Sequence, residues 1–266
     1  YNQPRRDQRQ MVMEAARREK MLVVPEGGAL YMHNMTMVAD GHTSVEHTLP
    51  IENIYDDVVQ FWGASKTGYT PTLGVAYGGM GGENYWYAKT NVWENTRLMN
   101  FVPRYVVDPR SRRRTDAPDS DWNHIKQAAI AKKLMDAGVR PTIGAHGQLA
   151  GLAAHWEMAM FVQGGMKPME ALRAATIDGA WYIGLDKDLG SITPGKLADF
   201  IVLDKDPSAD IANSQSIRWT VLNGRVYDSM TMAQVAPVQV ARPELFLSLI
   251  HISEPTRLRR ISYAVF

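Results

Sequence analysis

No cysteine occurs among the 266 residues. Disulfides and thiolate metal ligands are thereby excluded, and any bound metal must be held by His, Asp, Glu or a modified Lys. Neither sign of charge is in surplus: 29 Lys and Arg stand against 28 Asp and Glu, a net +1 at pH 7. An acidic tail and a basic nucleic-acid surface are excluded on that ground. No apolar run reaches the ~18 residues that a membrane span needs, and the first residues lack the charged-then-apolar layout of a secretory signal. The chain begins at Tyr1 without an initiator methionine, so a targeting segment upstream stays open and no localisation is assigned. Glycine is frequent, yet Gly78-Gly79-Met80-Gly81-Gly82 lacks the Lys-Ser/Thr of a phosphate loop and is read as opening no helix. What remains is an ordinary globular composition, 45% hydrophobic and 21% charged, in a chain long enough to bury a core.

Along that chain, helix-forming and strand-forming segments alternate. Residues 5–20 combine Met11, Met13, Ala15 and Ala16 with charges and predict a helix, followed by a short buried-type strand at 21–24. A helix over 29–39 closes at Asp40-Gly41, a strand follows at 43–47, and 51–64 predicts an amphipathic helix. A strand over 69–76 leads into a long loop from Gly78 to Arg114, then come a helix over 121–137 and a last strand at 141–145. Helices over 153–162 and 168–183 end the series. Such alternation predicts parallel βα units, and four of them make about half of an eight-stranded barrel.

The C-terminal part changes character. In Gly190-Ser191-Ile192-Thr193-Pro194-Gly195-Lys196-Leu197-Ala198-Asp199 a Pro-Gly turn feeds an apolar strand, and Val221-Leu222-Asn223-Gly224-Arg225 ends a second strand in an Asn-Gly turn. This pattern resembles the closing β-sandwich of the metal-dependent amidohydrolase superfamily, in its imidazolonepropionase-like and prolidase-like branch. The resemblance spans roughly the first 240 residues. It implies an α/β fold: the C-terminal half of a (β/α)8 TIM barrel, strands five to eight, over residues 1–188, and part of a small β-sandwich over residues 189–246. Strands one to four of such an enzyme carry a His-x-His pair and usually a carboxylated lysine. No His-x-His occurs here, so the chain is expected to be a fragment that lacks part of its metal site and, alone, lacks turnover. Residues 247–266 resemble the translation of a sequencing adapter, as in a metagenomic read, and are set aside.

Barrel enzymes assemble their sites at strand C-termini. Val45-Glu46-His47 resembles the strand-six motif whose histidine binds metal, which makes His47 a ligand. In prolidase-like relatives the strand-five histidine lies about twenty residues earlier, an offset that falls here on Glu26-Gly27. Glu26 could ligate a divalent ion through oxygen or cap a helix; His33, on a half-apolar helix face, is the equal alternative. At strand eight, His146 occupies the place of the usual aspartate, which binds metal and takes the proton of the attacking water. Imidazole can perform both roles near neutral pH, although a turn histidine bonded to backbone is the plain alternative. His155 and Glu157, on the following helix, are expected in packing or in support of the ligands, and Tyr85 in a glycine-flanked aromatic segment as a substrate lid or a packing residue. The basic run Arg110-Ser111-Arg112-Arg113-Arg114 is read as a solvated loop.

The resemblance thus implies a hydrolase of C–N bonds (amide, peptide or cyclic amide) acting through a water activated by one or two divalent ions, zinc first. The alternatives are a deaminase of the same superfamily, disfavoured by His146, and a non-catalytic binding module with a decayed metal site. Implied partners are a small-molecule or peptide substrate, with neither nucleic acid nor a membrane span. An upstream β-propeller in an exported parent and a homo-oligomer are compatible with the resemblance.

Overall fold

A computed structural model of the chain describes residues 5–147 and 149–244. Gln148 and the adapter-like segment 247–266 lie outside the described residues. The helices are α1 (Arg6–Glu19), α2 (Tyr31–Ala39), α3 (Asp56–Ala64), α4 (Gly82–Lys89), α5 (Thr96–Phe101), α6 (Arg104–Arg112), α7 (Asn123–Asp136), α8 (Leu152–Gln163), α9 (Pro168–Ala175) and α10 (Ile177–Tyr182). The strands are β1 (Ser44–Glu46), β2 (Gly68–Thr70), β3 (Phe200–Leu203), β4 (Ile217–Leu222), β5 (Arg225–Asp228) and β6 (Gln234–Ala236).

Four extended segments lie side by side in chain order. β1 and β2 pair in parallel, with Ser44 opposite Gly68 and Glu46 opposite Thr70. Single parallel bridges, Glu26 to Glu46 and Tyr69 to Pro141, add a segment on either flank. Because side chains alternate along a strand, the register decides two faces at once. Val45 and Tyr69 are fully buried on the helical side, where Tyr69 meets the Trp62 ring at 5.2 Å, centroid to centroid. Ser44, Thr70 and Thr142 face the other way: their hydroxyls form a chain, Ser44 to Thr70 at 3.4 Å and Thr70 to Thr142 at 2.7 Å. The apolar core therefore lies between these strands and the helices, with Trp62, Leu73, Leu134 and Phe161 at its centre.

The strands are shorter than the sequence pattern predicts, for identifiable reasons. The 69–76 segment stops pairing at Thr70, because Pro71 has no amide to donate and Thr72 turns left-handed (φ 52°). In 141–145, Pro141 again lacks a donor, so the amide of Thr142 donates to Tyr69 O at 2.9 Å and pairing goes no further. Residues 21–24 join β1 through Thr43 N donating to Val23 O at 2.9 Å, without becoming a ladder strand. The expected loop 78–114 is a correction of the opposite kind. It contains α4, α5 and α6, whose Tyr87, Leu98 and Val107 enter the core, and the glycine cluster does open a helix at Gly82. The expected helix 168–183 is two helices, broken at Thr176, whose hydroxyl donates back to Leu172 O at 2.7 Å.

β3 to β6 form a four-stranded antiparallel sheet in chain order. The Asn-Gly turn joins β4 to β5 with both residues left-handed, Asn223 at φ 49° and Gly224 at 73°, as a tight hairpin requires. Gly195, in the turn before β3, has φ 96°, and a Cβ there would meet no atom within 4 Å. Backbone strain alone therefore opposes substitution: Gly195→Val should cost about 1–3 kcal/mol, read as a lowered melting temperature. An unchanged melting temperature would show that the turn relaxes to another shape.

Candidate metal centre

The C-terminal ends of the four extended segments surround a cleft of about 310 Å³. Each ligand candidate reaches it by a local device. Glu26 follows Val24-Pro25 and precedes Gly27, whose amide donates to Glu46 O at 3.0 Å; a Cβ at Gly27 would collide with that same carbonyl, so only glycine lets the segment approach β1. Asn34 on α2 holds the next residue, accepting from Gly28 N at 2.8 Å and donating to Gly28 O at 3.0 Å. His47, just past β1, is left-handed (φ 70°) and still donates its amide to Thr70 O at 2.8 Å. The turn breaks strand alternation and sends the imidazole into the cleft. Ala145, His146 and Gly147 are left-handed in succession, at φ 49°, 51° and 75°. Gly144, which has to be glycine because a Cβ would strike Thr72 Oγ1, starts that turn.

The resulting geometry brings three of the expected residues together. His47 Nε2 lies 3.2 Å from Glu26 Oε1, and the His47 and His146 rings meet edge to face at 5.3 Å. Burial pushes the His47 imidazole below its ordinary pKa, the Glu26 carboxylate pulls it up, and His146 pushes it down again. Its Nδ1 is buried without a hydrogen-bond partner. Two imidazoles and a carboxylate are the donor types that a borderline divalent ion prefers. Among the described residues, however, no group of three or more His, Asp or Glu converges closely enough to hold a metal ion by itself.

The other expected residues lie elsewhere. His33 is on α2 with its Nδ1 3.1 Å from the Arg9 guanidinium, and burial and that charge both lower its pKa. His155 lines a separate cavity of about 380 Å³ between α5, α8 and β4, its Nδ1 3.0 Å from Ser214 Oγ. Tyr85 packs its ring among Trp86, Trp122 and His124 at 5.0 to 5.5 Å. Glu157 is buried beneath the cleft and accepts backbone amides from Leu73, Gly144 and Ala145. Of the basic run, Arg110 turns inward and pairs with the buried Glu83 at 3.2 Å. Burial raises the pKa of Glu83, opposed by Arg110 and, from the site, by His146.

Sequence reasoning did not single out Glu46, Thr72 and Tyr182, which also line the cleft. Glu46 accepts from the Tyr182 hydroxyl at 2.9 Å, and burial raises its pKa. Strand alternation from Val45 would have placed Glu46 on the inner face. No local signal foretells Tyr182, which comes from 136 residues away.

Solved structures share this fold, with parallel strands above a helix-covered core. The chain is similar to a Xaa-Pro dipeptidase with bound methionine (TM-score 0.60, 22% identity, covering 85% of this chain and 49% of that one). It is likewise similar to a putative prolidase from Bifidobacterium longum (TM-score 0.57, 18% identity, covering 97% and 55%). The amidohydrolase family model matches residues 5–227, and the chain belongs to that family. Among curated relatives, adenine deaminase 3 of Rhizobium meliloti is 49% identical over 122 residues, 41% of this chain and 19% of its own length. Imidazolonepropionase of Picrophilus torridus is 38% identical over 66 residues, 23% of this chain and 17% of its own length. The chain thus matches about half the length of those solved structures and about a fifth of those curated relatives. Among the described residues, no helix is long and apolar enough to cross a membrane.

Of the histidines outside the cleft, His124 sets the pH dependence that can be tested. His124 is fully buried with Nε2 3.0 Å from Gln163 Oε1, and burial holds its pKa below 6.5. A depressed folded-state pKa means that the unfolded chain takes up the proton first, so the contribution of neutral His124 is lost as pH falls below 6.5. Half-buried Glu46 and buried Glu83 and Glu157 shift upward and act in the opposite sense, so the test is comparative. On going from about pH 7.5 to 5.5, the wild-type protein should lose more stability than His124→Gln. Equal losses by calorimetry would place the proton elsewhere.

Proposed function

We propose that this amidohydrolase-family chain carries strands five to eight of a (β/α)8 barrel and part of a small β-sandwich, divided near residue 188, of an enzyme that hydrolyses amide, peptide or cyclic-amide C–N bonds. The observation that carries this reading is the meeting of Glu26, His47 and His146 in one cleft at the ends of parallel segments. Glu26 and His47 would hold a divalent ion, zinc for this donor set, with His146 as third ligand or base; further ligands would come from the half of the relatives that this chain does not match. When bound, such an ion would polarise the scissile carbonyl and lower the pKa of water toward neutrality. His146 Nδ1 or Nε2 would take the proton of the attacking water and return it to the leaving nitrogen. Glu26 Oε1 and His47 Nε2 already face one another at 3.2 Å, which brings the two donor atoms to one side of the cleft. Tyr182 lines the cleft and donates its hydroxyl to Glu46.

A second reading is deamination of an aminopurine-like base, favoured by the stretch shared with an adenine deaminase. The two differ in product: free ammonia from an exocyclic amine, or an amine and a carboxylate from an amide. In the complete enzyme, His146→Ala should lower metal content or cut kcat by ~10²-fold or more, the usual cost of losing a general base. His146→Asp should keep part of the activity. Full metal content and full kcat/KM in His146→Ala would reduce His146 to a turn residue, and an equally silent His47→Ala would favour a non-catalytic binding module.

A further inference from the structure

We infer that Glu157 is a positioning residue that locks the turn after β2 to the turn that carries His146, and so sets where that imidazole stands. It does not line the cleft. It projects from α8 into the interior with 1% of its surface exposed. Oε1 accepts the amide of Leu73 at 2.8 Å, and Oε2 accepts those of Gly144 at 3.0 Å and Ala145 at 2.5 Å. These donors belong to two connections that are far apart in sequence, one 84 residues from Glu157 and the other 12 to 13. One side chain therefore ties both strand ends to one helix.

The need for it follows from the strands. β2 ends at Thr70, and the last extended segment forms a single bridge at Pro141, so the amides of Leu73, Gly144 and Ala145 have no ladder partner. Buried without an acceptor, each would cost much of what folding gains locally. Both turns also pass through left-handed backbone at residues other than glycine: Thr72 at φ 52°, Ala145 at 49° and His146 at 51°. Such conformations persist where surrounding bonds over-determine them. Gly144 seated against Thr72 completes the contact between the two turns.

The chemistry selects a carboxylate. Three donors converge on two oxygens, an environment that only an acceptor-only group satisfies. A glutamine of the same shape offers one oxygen and one NH2, so it must abandon one of the two turns. An apolar residue would abandon both. Burial pushes the Glu157 pKa up against the pull of the three amides. A carboxyl placed at this depth, between the core residues Trp156 and Met158 in the chain, answers to those donors.

This inference rests on the reading of His146 as a site residue, but its test does not need turnover. Residue-resolved amide hydrogen exchange and the imidazole NMR signals of His146 would be compared in the full-length protein, wild type against Glu157→Gln and Glu157→Asp. In Glu157→Gln, exchange at Leu73, or at Gly144 and Ala145, should quicken at least tenfold, with a displaced His146 signal and the rest of α8 still protected. In Glu157→Asp, which keeps two acceptor oxygens on a shorter arm, all three amides should loosen less and the His146 signal should move back toward wild type. Once a substrate is in hand, Glu157→Gln should lower kcat with KM little changed. Unaltered exchange at the three amides would overturn the inference. So would loosening spread evenly over α8 in both variants, the mark of a packing residue. A silent His146→Ala combined with selective loosening of the three amides would leave the clamp standing and remove only the function assigned to that cleft.

Discussion

The parallel register of β1 against its neighbours is the constraint from which the cleft follows. With Val45 opposite Tyr69, both large side chains go to the helical layer, and Ser44, Glu46, Thr70 and Thr142 are left to line the inner face. A slip of one residue would put Glu46 among Trp62 and Leu134 and expose Val45, an exchange that neither face could tolerate. The same register brings Glu26 alongside Glu46 and so within 3.2 Å of the residue that follows it, His47. The candidate ligands are neighbours because their strands are.

Strand pairing ends where the site begins. Prolines at 25, 71 and 141 stand in or beside the extended segments and withhold amides, and the chain then turns left-handed at His47, Thr72 and Ala145-His146. Each turn frees a side chain from strand alternation and aims it at the cleft, at the expense of unsatisfied backbone groups and strained dihedrals. The structure answers with side-chain acceptors and close glycine contacts: Asn34 beneath Gly28, Glu157 beneath Gly144, and glycines at 27 and 144 where the neighbouring strand passes. The helices outside the strand layer therefore take part in the site through the backbone they hold.

Electrostatics within the cleft is finely balanced. His47 is drawn one way by Glu26 and the other by burial and His146, while burial raises the pKa of half-buried Glu46 and the Tyr182 hydroxyl moderates it. This crowding of titratable groups at strand ends suits a family whose members act on C–N bonds, and it has no counterpart in the antiparallel sheet, where Asp204, Arg218 and Asp228 lie partly or largely in solvent. The sheet packs against α8 through the turn at Ile211 and Ser214 and serves the molecule as a wall.

Local chemistry was sufficient for several elements. The Asn223-Gly224 hairpin, the left-handed Gly195 and the helices α1 and α7 were legible because each depends on residues within a turn or two of one another, whereas Glu26, His47 and His146 stood out through resemblance to family motifs at strand ends. Helices α4 to α6 were misread as loop, since glycines at 78–82 and prolines at 103 and 109 mask core positions that only neighbouring helices reveal. The choice between Glu26 and His33 was also beyond the sequence, both being acceptable donors at plausible offsets. Tertiary structure sets Glu26 against His47 and His33 against Arg9, because the first follows a glycine approach to β1 and the second rides on α2. By itself, the sequence determined which groups could do chemistry and where the chain turns. Which of them meet was decided by strand register and by long-range bonds such as Glu157 to Leu73, which link residues too far apart in the chain for any periodicity to record.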